Sequence, residues 1–268
     1  MNATDKFTLG YSEYGDPKAK VLAVLPGWAT DANFLKPIAH LFEDEYRVLL
    51  IDMPGYGKSS HLKLFADSTR QTANLILNTL PKNSILMSWS LSTLACCRAC
   101  AMDKNGIIEK YISVCGSPRF PADPNWPGFD YKYVLKCLKL FDEGKNTRSI
   151  KLFFMMQSQS SILSQDNKKF LIDSFDAMGD IDKDVLVAGL HKMAYADHRE
   201  AFNAINIPCL HIFGAQDRLV QPDLAKHLIK PPYHVCSVLQ ESAHMPFLSE
   251  PENFKKVINL FLKNSVLP

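Results

Sequence analysis

No stretch of this 268-residue chain approaches the ~18 uninterrupted apolar residues of a membrane-spanning helix, and Met1 to Gly10, carrying Asp5 and Lys6, has no apolar run of signal-peptide length. A protein of the cytoplasm, with no membrane association, is therefore expected. An excess of charge of either sign is missing as well. Thirty Lys and Arg stand against 28 Asp and Glu, and a net +2 gives no general attraction to nucleic acid or to an anionic surface. Any acidic partner would need a local patch. A disulfide framework is also lacking: the seven cysteines, Cys96, Cys97, Cys100, Cys115, Cys137, Cys209 and Cys236, are odd in number, irregularly spaced and set among apolar residues. They read as reduced core thiols. Cys97 and Cys100 form a C-x-x-C, but no second pair or histidine follows at zinc-ligand spacing, so the pair is read as helix packing and no metal site is expected.

What the chain does have is enough apolar content, 47%, to bury one substantial core. Its first half alternates short β-branched runs (Val21 to Leu25, Arg47 to Ile51, Ser84 to Met87, Tyr111 to Val114) with segments of helical character (Asn33 to Phe42, Thr69 to Leu80, Ser92 to Met102). Strands of this kind suit a parallel sheet buried on both faces, and the alternation is that of an α/β doubly wound fold. After Val114 the rhythm changes. Pro118, Pro121, Pro124 and Pro127 lead into a helical stretch of mixed polarity from about Tyr131 to Leu190, before strands resume at Cys209 to Phe213 and Val235 to Leu239 and a helix closes the chain from Glu252 to Leu262. The expected organisation is a core of residues 1–117 and 191–268 interrupted by a helical cap of residues 118–190.

The segment Ser88-Trp89-Ser90-Leu91-Ser92 lies where a strand turns into a helix, the place of a G-x-S-x-G nucleophile elbow. Serine replaces both glycines, so each extra hydroxymethyl group must find room and a hydrogen-bond partner. Only Ser90 has small residues two positions away on both sides, which makes it the candidate nucleophile. The backbone N–H of Leu91, at the helix start, is one natural donor to a developing oxyanion, and Pro26-Gly27-Trp28 after the first parallel strand offers the Trp28 N–H as the second.

Acid and base are expected to follow the serine in that order. Asp217 stands in a tight loop directly after the run Leu210 to Phe213, at the edge of the sheet where active sites of open α/β folds lie. Asp223, its competitor, follows Pro222 at an expected helix start, where charge stabilisation accounts for it. His244 follows the last strand in a loop from which it can reach Ser90, whereas His211 falls inside a strand, His40, His191, His198 and His227 in or beside helices, and His61 and His234 in connecting segments. Ser90, Asp217 and His244 are thus the expected triad of an α/β-hydrolase.

Several stretches together resemble the pimeloyl-acyl-carrier-protein methyl ester esterases of biotin synthesis, over almost the whole chain: Gly27-Trp28, Asp52-Met53-Pro54-Gly55-Tyr56-Gly57-Lys58-Ser59, Ser88-Trp89-Ser90-Leu91, Gly116-Ser117-Pro118-Arg119-Phe120, Trp126-Pro127-Gly128 and Ala243-His244-Met245-Pro246-Phe247. The Asp-x-Pro-Gly run is shared by many hydrolases; Trp-Ser-Leu with Ser-Pro-x-Phe and Trp-Pro-Gly is more selective. The resemblance implies a cofactor-free serine carboxylesterase whose acyl chain lies under the cap against Trp28, Phe120 and Phe153. It also implies basic cap residues that hold acyl carrier protein, for which Arg148 and Lys151 are the candidates, within a bias that includes Lys145, Lys168 and Lys169 and is opposed by Asp173, Asp176, Asp180, Asp182 and Asp184. Two other readings stay open: a broad short-chain carboxylesterase or thioesterase using the same site, and a hydrolase fold kept as a non-catalytic binder.

Overall fold

A computed structural model describes residues 7–158, 163–177, 179 and 181–264; Asp5, Lys6 and Asp180 lie outside the described residues. Strands β1 (Tyr11–Tyr14), β2 (Val21–Leu25), β3 (Arg47–Ile51), β4 (Ser84–Trp89), β5 (Ile108–Val114), β6 (Cys209–Gly214) and β7 (His234–Leu239) form one sheet in the order β1-β3-β2-β4-β5-β6-β7. All neighbours are parallel except β1, which runs antiparallel to β3. That edge strand alternates exposed and half-buried residues, so a search for apolar runs passes over it.

The alternation of side chains along the parallel strands feeds two cores. Ala23, Leu25 and Leu86 point to the face covered by α2 (Thr69–Thr79) and α3 (Thr93–Met102), whose Ala73, Ile76, Leu94 and Cys97 they meet. Leu22, Val24, Ile85 and Met87 point to the other face, covered by α1 (Lys36–Phe42) and the last helix of the chain through Ile38, Phe42, Phe254 and Ile258. On α3, burial pushes the Cys97 thiol up to about 12 and those of Cys96 and Cys100 well up, as suits inert packing thiols.

Between β5 and β6 the described residues hold helices α4 (Lys132–Asp142), α5 (Asn146–Ser158), α6 (Gln165–Asp176), α7 (Lys183–Tyr195) and α8 (Arg199–Asn203), with α7 running past residue 190. The loop that leads into them is tied to itself: Trp126 Nε1–H donates to Arg119 O at 2.8 Å, and Arg199 lies 5.2 Å over the Trp126 ring. A Cβ on Gly128 would stand 2.3 Å from Phe120 O. The Ser-Pro-Arg-Phe and Trp-Pro-Gly segments are thus two sides of one pinned turn. After β6, α9 (Ala225–Leu228) leads to β7, and α10 (Pro246–Ser249) and α11 (Pro251–Asn264) end the described chain. Among the described residues no helix is long and apolar enough to cross a membrane.

β7 begins one residue earlier than the apolar run suggests, at His234, because that side chain is fully buried beside His211 on β6. The rings stack 5.3 Å apart, with His211 Nε2 3.0 Å from His234 Nδ1 and His234 Nε2 3.2 Å from Ile205 O. A carbonyl only accepts, so His234 carries a proton on Nε2; with both rings neutral, His211 donates from Nε2 and its Nδ1 accepts from Ser113 Oγ at 2.7 Å. Burial, and then His234, lower His211 to about 3; burial lowers His234. The stability gained is full above the unfolded value near ~6.5 and is lost as pH falls from there toward about 3, because the unfolded chain binds the protons. The thermal midpoint should therefore drop between pH 7 and pH 5, and less steeply in His211→Gln. An equally steep fall in that variant would exclude the pair as its source.

Candidate active site

Ser90 is the first residue after β4, at the start of a 3₁₀ turn (Ser90–Ser92) that runs into α3. Its φ of +58° is a left-handed conformation that a residue with a Cβ adopts at a cost on the order of 1–3 kcal/mol. The turn presents Oγ at the carboxyl edge of the sheet. The serines that stand for glycines are both accommodated: Ser88 Oγ is 2.7 Å from Tyr111 Oη and 3.0 Å from Thr93 Oγ1, and Ser92 Oγ–H is 3.0 Å from both Leu25 O and Trp89 O.

Asp217 lies in the loop after β6, where the N–H groups of Leu219 and Val220 donate to its Oδ1 at 2.8 and 3.0 Å. Its Oδ2 is left for His244 Nδ1, 2.7 Å away, and His244 Nε2 is 2.9 Å from Ser90 Oγ. With Nδ1–H donated to a carboxylate, Nε2 is the acceptor, so Ser90 Oγ–H donates to it. The three side chains are 2%, 4% and 1% exposed for Ser90, Asp217 and His244, which removes the water that would weaken these bonds. Asp223 is exposed and bonded to Lys226, which holds its carboxyl below the usual range; it stands apart from this line.

Three residues that sequence reasoning passed over hold His244 in place. Trp89 Nε1–H donates to His244 O at 2.8 Å, while its ring stacks on Phe34 at 5.2 Å. Glu250 Oε2 accepts from Ser242 Oγ at 2.6 Å and from the Glu241 N–H at 2.8 Å. A Cβ on Gly214 would lie 2.0 Å from Ala243 O, so the acid and base loops touch only because residue 214 is glycine. Trp89 carried a visible signal in Trp-Ser-Leu; Glu250 sits just before the proline that starts α11 and reads as an ordinary acid at a helix N-terminus.

At the Gly27-Trp28 turn, a Cβ on Gly27 would be 3.1 Å from Ser90 Cβ, so this backbone runs against the serine. Neither the Trp28 nor the Leu91 N–H has a protein hydrogen-bond partner among the described residues. The Trp28 indole is fully buried, donates to Leu186 O of α7 at 2.8 Å and meets Phe153 edge-on at 4.9 Å. Phe120 is buried too, but its ring partner is Phe129 at 6.3 Å. Arg148 and Lys151 are exposed on α5, with Lys151 Nζ 5.3 Å over the Phe175 ring.

A family model described as alpha/beta hydrolase family matches residues 22–257. The chain is similar to the pimeloyl-[acyl-carrier protein] methyl ester esterase of Hamiltonella defensa, 31% identical over 89% of this chain and 91% of that one. It is also similar to the proteins of the same name from Vibrio vulnificus (28%; 87% and 90%) and Photorhabdus laumondii (28%; 94% and 95%). Among solved structures, a hydrolase from Oleispira antarctica and an esterase from Exiguobacterium antarcticum each superpose with a TM-score of 0.82 at 18% identity. They cover 97% and 96% of this chain, and the chain covers 96% of each; at that identity the likeness is one of fold.

The Ser88 hydroxyl is a structural link, since it bonds the buried Tyr111 hydroxyl, whose other neighbour is the Cys97 thiol at 3.9 Å. Ser88→Gly should lower the unfolding free energy by about 1–3 kcal/mol through the stranded hydroxyl while leaving turnover within a few-fold of the parent. Denaturant unfolding beside a rate measurement checks this, and a large loss of rate with unchanged stability would give Ser88 a chemical role instead.

Proposed function

Because this chain belongs to the alpha/beta hydrolase family, and within it to the family of the pimeloyl-[acyl-carrier protein] methyl ester esterases, we propose that it hydrolyses the methyl ester of a pimeloyl chain carried on acyl carrier protein, with Ser90 as nucleophile, His244 as general base and Asp217 orienting the histidine. It is a serine hydrolase acting on carboxylic ester bonds. The observation that carries the assignment of residues is the buried, hydrogen-bonded line from Asp217 through His244 to Ser90.

The chemistry follows from which atoms are free. Ser90 Oγ attacks the ester carbonyl as its proton passes to His244 Nε2, and Asp217 Oδ2, already bonded to Nδ1–H, stabilises the imidazolium. The carbonyl oxygen becomes an oxyanion for which the Trp28 and Leu91 N–H groups are the donors; an unpartnered buried N–H is costly until such an acceptor arrives. Collapse breaks the bond to the methoxy oxygen, which takes the proton from Nε2 and leaves as methanol. Water then attacks the acyl-enzyme, giving one proton to His244, which returns it to Oγ as the carboxylic acid departs and ionises in solvent.

The helices of residues 118–190 form a cap over the acyl chain in this reading, with Trp28, Phe153 and Phe120 as its apolar wall. The Trp28 and Phe153 rings, in contact at 4.9 Å, are the best supported part of that wall. Arg148 and Lys151 face outward and offer positive charge to an acidic carrier. The seven free thiols, six of them buried, fit a reducing compartment, and the cytoplasm is the one proposed.

Ser90→Ala should reduce turnover on the order of 10⁶-fold, and Asp217→Asn on the order of 10⁴-fold, with folding intact; Asp223→Asn should change little. Retention of most activity by Ser90→Ala would overturn the nucleophile. The substrate is tested by following a carrier-linked methyl ester, its thioester bond and a free short ester with one preparation. Methanol release with the thioester intact is expected, and preference for the thioester or for the free ester would replace the proposal by the broader esterase.

Reversing Arg148 and Lys151 together to Glu should weaken use of the carrier-linked ester by several-fold, since each exposed contact is worth only about 0.2–1 kcal/mol, and should spare the free ester. Added salt should act in the same direction by screening. Equal loss for both esters would mean a damaged cap, and no loss would move the carrier to another surface.

A further inference from the structure

Six of the seven cysteines pack in the core away from the site; Cys115 does not. It is the first residue beyond β5, is fully buried, and stands where the loops bearing Asp217 and His244 meet. Its N–H donates to Ile212 O at 2.8 Å, extending the β5–β6 ladder by one residue, and its φ of +45° is a conformation that side-chain-bearing residues seldom adopt. Its Sγ lies 3.5 Å from Ala243 O, the carbonyl just before the histidine. Sγ, a carboxylate oxygen of Asp217 and a ring nitrogen of His244 all fall within 4.8 Å of one another. Burial, with the neighbouring Asp217 charge, pushes the thiol well up, so the group keeps its proton and remains a donor.

The hydrogen bonds around Asp217 leave room for that donor. Oδ1 accepts two backbone N–H groups, while Oδ2 accepts only His244 Nδ1–H, and a carboxylate has about four acceptor positions. We propose that Cys115 is a positioning residue of the hydrolytic site: its S–H, shared between the Asp217 carboxylate and the Ala243 carbonyl, ties the acid loop to the base loop and keeps Oδ2 aimed at His244 Nδ1. It touches no reacting atom and acts through Asp217. A backbone held in a left-handed conformation without glycine agrees with a side chain kept for what it does there. The inference rests on the reading of Ser90, His244 and Asp217 as a triad.

The test compares Cys115→Ala, Cys115→Gly and Cys115→Ser in the full chain, reading kcat and KM on a free short ester, the proton resonance of His244 Nδ1–H and the thermal midpoint. Glycine suits the positive φ, so a donor-free variant is available even if alanine fails to fold. The donor-free variants should lose roughly 3- to 10-fold in kcat, as for one hydrogen bond, with KM unchanged. Their Nδ1–H proton should exchange faster and move upfield, and Cys115→Ser, which still donates, should recover most of both. A folded Cys115→Gly or Cys115→Ala with the parent's kcat and resonance would overturn the proposal, as would a folded Cys115→Ser impaired as much as they are. A parent enzyme that turned over no ester would refute the proposed function, and the resonance would still decide on Cys115.

Discussion

The 2.7 Å hydrogen bond from His244 Nδ1 to Asp217 Oδ2 joins two loops that leave neighbouring strands, and the rest of the site depends on it. It fixes the tautomer of the histidine, and so fixes Nε2 as the acceptor for Ser90. Much of the surrounding structure serves to keep the loops in register. The Gln216 N–H donates to Ser242 O at 2.9 Å, Glu250 anchors residues 241 and 242, and Gly214 allows the two backbones to touch. The line is buried because a carboxylate and an imidazole couple strongly only where water is excluded. Burying Asp217 would be expensive without its two backbone donors on Oδ1, so the short turn at Leu219 and Val220 belongs to the same device.

The convergence of Ser90, Asp217 and His244 was legible in the sequence because each follows an apolar run of strand length, and parallel strands of one sheet bring their carboxyl ends to one edge. The resemblance added Trp28, Phe120 and Phe153. The structure joins the first and last of these ring to ring, whereas Phe120 pairs with Phe129 in the turn before the cap helices. Side-chain partnerships of that kind depend on how helices return over the sheet, which local periodicity does not encode. For the same reason Glu250 and Cys115 were unreadable: a glutamate ahead of a helix and a cysteine just past a strand look ordinary until the neighbouring loops are in place. β1 escaped because an edge strand with one wet face has no apolar run, and His234 was set in a connecting segment because a histidine interrupts one.

The replacement of both elbow glycines shows how local rules yield to context. Glycine at those positions leaves space; here the space is used, with Ser88 joined to Tyr111 and Thr93 and Ser92 turned back on Leu25 O and Trp89 O. A Cβ on Gly116 would reach within 1.9 Å of Thr93 Oγ1, so the strand end opposite the elbow is the one that must stay bare.

Four described residues other than glycine have positive φ, and three of them, Ala29, Ser90 and Cys115, follow the carboxyl ends of β2, β4 and β5, which are adjacent in the sheet. Ser90 and Cys115 turn the chain directly out of strands fixed on both faces by packed cores, and Ala29 lies in the loop four residues beyond β2. Strain of this kind persists only where the surroundings over-determine the backbone, and a fully paired central strand supplies that rigidity. The surroundings differ by position: Ala29 follows the Trp28 N–H, Ser90 Oγ faces His244 Nε2, and Cys115 lies beside Asp217. The centre of the sheet therefore supports, in one row, three positive-φ residues at the edge where the Asp217–His244–Ser90 hydrogen-bonded line lies.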